Sequence, residues 1–105
     1  MTDLSEVGFL GLSAGLLAIG LFGILTRRNF ILLLIAIEIA MNAAILNFVY
    51  FAAYSSGSRG LTGQSIAVVL VGFAATEVAV GLGIVLALNR VKGTINVSQA
   101  TELKL

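Results

Sequence analysis

Three long apolar runs, separated by short polar segments, dominate the pattern of this chain. The first, 7–25, has no charged residue, whereas the second, 30–54, and the third, 66–88, each contain one glutamate. At about 1.5 Å rise per residue, each run is long enough to cross a hydrocarbon core of roughly 30 Å as a helix. The pattern therefore predicts an all-α membrane protein of one domain with three transmembrane helices.

The polar segments predict the connections between these helices. Arg27, Arg28 and Asn29 make a short turn after the first run, and the Gly- and Ser-rich stretch 55–64 reads as a loop before the third. Residues 93–105 form a polar C-terminal tail with scattered apolar positions. Proline is absent, so no helix is kinked by that residue.

The basic residues predict the orientation of the chain in the membrane. Three spans place the first turn and the C-terminus on one side, and that side carries five of the six basic residues: Arg27, Arg28, Arg90, Lys92 and Lys104. The other side carries only Arg59. Because Lys and Arg concentrate on the cytoplasmic side of membrane proteins, we expect the N-terminus outside and the C-terminus on the cytoplasmic side.

The composition narrows the classes of function. The chain is 59% hydrophobic and 10% charged, which is typical of proteins embedded in a lipid bilayer. It contains no Cys and no His, which excludes disulfides, metal sites built on thiolate or imidazole, and Cys or His catalysis. Without a basic patch or a phosphate-binding glycine motif, we expect no nucleic acid, no cofactor, no metal and no catalytic residue in this chain.

The candidate functional residues are Glu38 and Glu77, which lie near the middle of the second and third runs. A charged residue at the bilayer centre costs roughly 2.5–3.5 kcal/mol on insertion scales, and such acids often belong to an ion or proton path. Both lie about 12–16 Å from the end of their runs, so we expect them at similar depth. No Lys or Arg of this chain reaches that depth, so we expect a neighbouring subunit to supply a cation or a hydrated cavity.

Small residues recur every four positions and predict faces on which helices pack closely. One stripe is Ala36, Ala40 and Ala44, and another is Ala75, Ala79, Gly83 and Ala87. The first run offers Gly11 and Gly15 at this spacing, and Gly20 and Gly23 are further packing positions in it. Each glutamate stands two positions from alanines of its stripe and so points roughly 160° away from it.

Two asparagines in the second run add polar groups within the membrane. Asn42 follows Glu38 by four residues and shares its face, so it can bond the carboxyl group or hold a water. For Asn47 we expect a hydrogen bond to another helix.

These residues carry a resemblance to a known family. Residues 32–54 (LLLIAIEIAMNAAILNFVYFAAY) and 73–90 (FAATEVAVGLGIVLALNR) resemble the second and third helices of the small membrane subunit of respiratory complex I, called subunit K or 4L. Arg27 and Arg28 match as well, and the resemblance covers nearly the whole chain. Thr76 departs from the alanine that often precedes the second acid.

The resemblance implies a membrane subunit without redox centres in a proton-pumping oxidoreductase of the complex I type. Such a subunit lies between the quinone-site end and the antiporter-like subunits. Glu38 and Glu77 would then belong to the lateral proton path, and Arg27 and Arg28 to the cytoplasmic loop. Flavin, iron–sulfur clusters and a quinone-type carrier are expected in other subunits. The expected location is the plasma membrane of a prokaryote, or otherwise an energy-transducing organelle membrane.

Two alternatives stay open at this point. The C-type subunit of multisubunit cation/proton antiporters has a similar length and three helices, and a purely structural linker would need no proton path. A small multidrug transporter fits less well, since it has four spans and a single essential acid.

Overall fold

Three long helices and one short helix make up the part of the chain that the structure describes. The computed structural model describes residues 4–55, 57–93 and 96–100. The helices are α1 (Leu4–Thr26), α2 (Phe30–Ala53), α3 (Ser58–Lys92) and α4 (Val97–Ala100). The first three are long and apolar enough to cross a membrane, which confirms the predicted all-α protein with three spans.

The long helices lie side by side in a single layer. α2 packs against α1 on one side and against α3 on the other, and the chain measures 54 × 25 × 16 Å. A thickness of 16 Å is little more than the roughly 10–12 Å diameter of one helix with its side chains. The molecule is therefore a slab with two broad faces and two edges, and most apolar side chains are exposed on them.

The contact between α1 and α2 depends on glycines of α1 that face alanines of α2. A Cβ atom at Gly20 would lie 2.8 Å from the Cβ of Ala40, and one at Gly23 would lie 2.7 Å from the Cβ of Ala36. Ala36 is buried, whereas Ala44 is exposed and lies outside this contact. The predicted packing is therefore confirmed for Gly20, Gly23, Ala36 and Ala40. Their small or absent side chains let the two backbones approach closely.

Two predicted packing stripes are wrong within this chain. Ala75, Ala79, Gly83 and Ala87 are all exposed, and Cβ atoms at Gly11 and Gly15 would meet nothing within 4 Å. α3 instead faces α2 through a row spaced by seven residues, Gly60, Ala67, Ala74 and Gly81, and Val85 is buried one turn after this row. A seven-residue step drifts by about 20° around a helix and a four-residue step by about 40°, so only the former follows a neighbour over many turns.

The predicted loop 55–64 is wrong over its last seven residues, because α3 begins at Ser58. Two of its three glycines, Gly60 and Gly63, are packing residues rather than loop residues. A Cβ atom at Gly60 would lie 3.0 Å from the carbonyl oxygen of Ala52, and one at Gly63 would lie 2.6 Å from the Cβ of Ala52. The helix continues through them because they fit against the end of α2. Gly57, with φ +69°, makes the turn that precedes α3.

The start of the predicted tail returns to the turn between α1 and α2. Asn29 and Asn96 form an antiparallel β-bridge, and the backbone N–H of Val97 donates to the carbonyl oxygen of Arg28 over 2.7 Å. The first turn and the C-terminal segment therefore lie at the same end of the slab, as three spans require. Residues 94–95 and 101–105 of the tail lie outside the described residues.

Candidate functional site

Glu38 lies half-buried on α2, on the side that faces α3. It lines a groove of about 320 Å³ between the two helices, together with Val78 and Leu82 of α3. The Nδ2 atom of Asn42 donates to its Oε1 atom over 3.3 Å, which is the hydrogen bond that the spacing of four residues predicts. The remaining lining of the groove is aliphatic, so this carboxyl group is the only ionisable group among the described residues that line it.

Two contacts set the register of α3 against α2. Gly63 meets Ala52 near one end of the pair, and Gly81 meets the side chain of Leu34 near the other. The two glycines are 18 residues apart on α3, and their two partners are 18 residues apart on α2. The two antiparallel helices therefore keep the same register over the whole distance between these contacts.

This register places the two glutamates at the same level along the helix pair. Glu38 follows Leu34 by four residues, and Glu77 precedes Gly81 by four residues. Because the two helices run in opposite directions, the two steps lead to the same height. The expectation of similar depth thus has a structural basis in the packing of α2 on α3.

The two carboxyl groups belong to opposite broad faces of the slab. Ala74 of α3 packs against α2 and is only 2% exposed. Val78 and Leu82 lie to one side of Ala74 and line the groove that contains Glu38. At 100° per residue, Val78 lies about 40° to one side of Ala74, and Glu77 lies about 60° to the other side. Glu77 is accordingly exposed and does not line that groove.

Arg27 and Arg28 are exposed in the turn between α1 and α2, far from both glutamates. Arg28 precedes Glu38 by ten residues, or about 15 Å along the helix axis. The side chain of Asn29 accepts hydrogen bonds from the backbone N–H groups of Ile31 and Leu32 and so fixes the start of α2. The turn is held by this cap and by the returning tail.

No cluster of three or more His, Cys, Asp or Glu side chains that could hold a metal ion occurs in the part of the chain that the structure describes. Asn47 has a buried Oδ1 atom without a hydrogen-bond partner, so the interhelical bond expected for it is not made among the described residues. Arg59, which sequence reasoning assigned only to topology, lines a groove between α2 and α3. No sequence pattern pointed to that groove, because it arises where two helices meet.

The chain is similar to known proteins over nearly its whole length. Residues 8–105 match the family model of NADH-ubiquinone/plastoquinone oxidoreductase chain 4L. The chain is 40% identical to NADH-quinone oxidoreductase subunit K 2 of Solibacter usitatus and to subunit K of Thermomicrobium roseum, over 99% of the chain and 99% of each relative. It is 41% identical to subunit K of Bacillus anthracis over the same shares. This chain is an integral membrane protein that belongs to the chain 4L, or subunit K, family of NADH-quinone oxidoreductase subunits.

Proposed function

We propose that this chain passes protons laterally through the membrane part of an NADH-quinone oxidoreductase, with Glu38 and Glu77 as two successive proton carriers. The observation that carries the proposal is their placement: level with each other at the junction of α2 and α3, and directed to opposite broad faces of the slab. Two acids inside apolar helices are costly, and such groups are characteristic of proton relays.

The shape of the slab suits this role. It is only 16 Å thick, so a proton that arrives at one broad face has to cross a single layer of helices to reach the other. Glu38 would accept or deliver the proton on one face and Glu77 on the other. Asn42 holds one oxygen of the Glu38 carboxyl group and leaves the other oxygen available within the groove.

The partners in this proposal are other membrane subunits, including antiporter-like subunits on one side of the slab and the quinone-site end on the other. Flavin, iron–sulfur clusters and the quinone-type carrier belong to those other subunits. Arg27, Arg28, Arg90 and Lys92 lie at the same end of the three spans, which supports a cytoplasmic position of the first turn and of the C-terminus. A plasma membrane is the expected location, since the relatives above are bacterial proteins.

The test compares electron transfer with proton pumping in membranes that contain the assembled complex. Glu38→Gln and Glu77→Gln keep the size of the side chain and remove its capacity to carry a proton, so each is expected to reduce pumping strongly. Glu6→Gln, in the first turn of α1 and outside the apolar run, is the matched control and should pump normally. Full pumping by the double variant Glu38→Gln/Glu77→Gln would refute the relay and favour a purely structural linker.

A further inference from the structure

The side chain of Leu34 on α2 packs directly on the backbone of Gly81 on α3. A Cβ atom at Gly81 would lie 2.6 Å, 3.1 Å and 3.4 Å from the Cδ2, Cδ1 and Cγ atoms of Leu34. The end of the leucine therefore occupies the space that a side chain at position 81 would need. Cβ atoms at Gly72 and Gly83 would meet nothing within 4 Å. Of these three glycines, Gly81 alone receives a side chain of α2.

Leu34 lies next to the carboxyl group of Glu38. The two residues are four positions apart on α2, so they lie on the same side of the helix, and both line the groove of about 320 Å³ between α2 and α3. Asn42 lies four positions to the other side of Glu38 and donates to its Oε1 atom. The position of the Leu34 side chain therefore decides how much of the groove stays open beside the Oε2 atom.

A methyl group at Gly81 would drive Leu34 out of this packed position. The three nearest atoms all belong to the Leu34 side chain, which can turn about its own single bonds. α3 itself is less free to move, because Gly60 holds its start close to the backbone of α2: a Cβ atom there would lie 3.0 Å from the carbonyl oxygen of Ala52. Leu34 already borders the groove, so its side chain turns into that free volume and displaces water from beside Glu38.

We propose that Gly81 is a positioning residue for Glu38: by accommodating Leu34, it keeps the groove open around the carboxyl group. A carboxyl group exchanges its proton only with a partner within hydrogen-bond reach or through a water, and an apolar side chain in the groove excludes both. Gly81 thus acts on the access of protons to Glu38. The inference rests on the proposed relay for its effect on pumping, whereas the accessibility of Glu38 is measured without it.

Chemical labelling of the two glutamates in the isolated full-length chain tests this accessibility. Dicyclohexylcarbodiimide is an apolar reagent that enters lipid bilayers and attaches to protonated carboxyl groups, and mass spectrometry measures the adduct on each residue. Glu77 is exposed on the opposite broad face and serves as the internal reference. Overpacking of this kind disfavours the packed position of Leu34 by a factor of about 5 to 150, so the ratio of Glu38 to Glu77 labelling should fall at least about threefold in Gly81→Ala.

Leu34→Ala is the compensating change, because it removes all three atoms that the new methyl group would meet. In a Leu34→Ala chain, adding Gly81→Ala should therefore change the labelling ratio by less than about twofold. Gly83→Ala is the matched control and should label as the parent chain does, since its Cβ atom meets nothing within 4 Å. An unchanged ratio in Gly81→Ala, or an equal fall in the Leu34→Ala background, would overturn the proposal.

The parent chain allows a measurement that requires no substitution at Gly81. With ¹³C-labelled leucine methyl groups, nuclear Overhauser effects should connect the methyl groups of Leu34 to the Hα atoms of Gly81, because the two groups are in contact. Their absence would overturn the proposal even where Gly81→Ala fails to fold.

Proton pumping by the assembled complex separates this inference from the relay. Gly81→Ala should pump less than the parent, and Leu34→Ala in the same chain should restore pumping. Normal pumping by Gly81→Ala, with pumping lost in Glu38→Gln, would overturn the positioning role and leave the relay standing. Normal pumping by Glu38→Gln/Glu77→Gln, with lowered Glu38 labelling in Gly81→Ala, would refute the relay and leave Gly81 as the residue that keeps the groove open.

Discussion

A single methyl group at Gly20 tests the close approach of α1 and α2. In Gly20→Ala the new Cβ atom would lie 2.8 Å from both the Cβ and the backbone nitrogen of Ala40, and 2.9 Å from the carbonyl oxygen of Ala36. Two of these three atoms are backbone, so no rotamer change relieves the overlap, and α1 has to move outward by roughly 0.5–1 Å to restore normal contact distances. Overpacking of this kind costs about 1–3 kcal/mol, and the better helix propensity of Ala offsets roughly 0.5–1 kcal/mol of it. We expect the packing of α1 on α2 to be destabilised by about 0.5–2 kcal/mol.

The tyrosines of the chain provide the assay. The ring of Tyr50 packs on Phe9 of α1 with ring centroids 4.7 Å apart, and the chain has two Tyr and no Trp. In a Tyr54→Phe background, the near-UV circular dichroism of Tyr50 therefore follows the docking of α1 on α2 while SDS is added to the chain in mild detergent. Gly20→Ala should lose this signal at a lower SDS fraction than the parent chain. Gly11→Ala, whose Cβ meets nothing within 4 Å, should be as stable or more stable. Equal shifts in both variants, or none in Gly20→Ala, would refute the packing argument.

Two further predictions concern the other contacts of α2. Gly63→Ala should loosen the start of α3, because the new Cβ atom would lie 2.6 Å from the Cβ of Ala52. In the control variant Gly72→Ala the new Cβ atom has no neighbour within 4 Å. Amide hydrogen exchange over residues 58–65 should therefore rise in Gly63→Ala and not in Gly72→Ala. Asn29→Ala removes the side-chain acceptor of two backbone N–H groups in the first turn of α2, at a cost of about 0.5–2 kcal/mol, whereas Asn29→Asp keeps it. Faster exchange in that turn for Asn29→Ala only would support the cap, and equal exchange in both variants would contradict it.

The spans and the local contacts followed from the sequence for direct physical reasons. Apolar runs of this length leave the backbone no hydrogen-bond partners in a bilayer except its own, so they become helices. The bond between Asn42 and Glu38 follows from their spacing of four residues on such a helix. Asn29 was predicted only as part of the turn, and its role as the N-cap of α2 appears in the structure alone.

The faces on which the helices pack could not be predicted from the sequence in the same way. In a soluble protein the buried face of a helix is apolar and the exposed face is polar, but here every face is apolar. Small residues lie on both sides of α3, and only the row through Ala67 and Ala74 keeps the seven-residue spacing that follows α2. For the same reason Gly60 and Gly63 were mistaken for loop residues, although they lie in the helix against Ala52.

The sequence by itself determined that Glu38 and Glu77 lie deep in separate transmembrane helices, because hydropathy and the helical rise fix a residue's depth within its own span. Only the tertiary structure decided how the two acids relate to each other. The contacts of Gly63 and Gly81 set the register that makes them level. The packing of α3 through Ala74 turns them to opposite faces of the slab, since a helix can place only one of its faces against a neighbour.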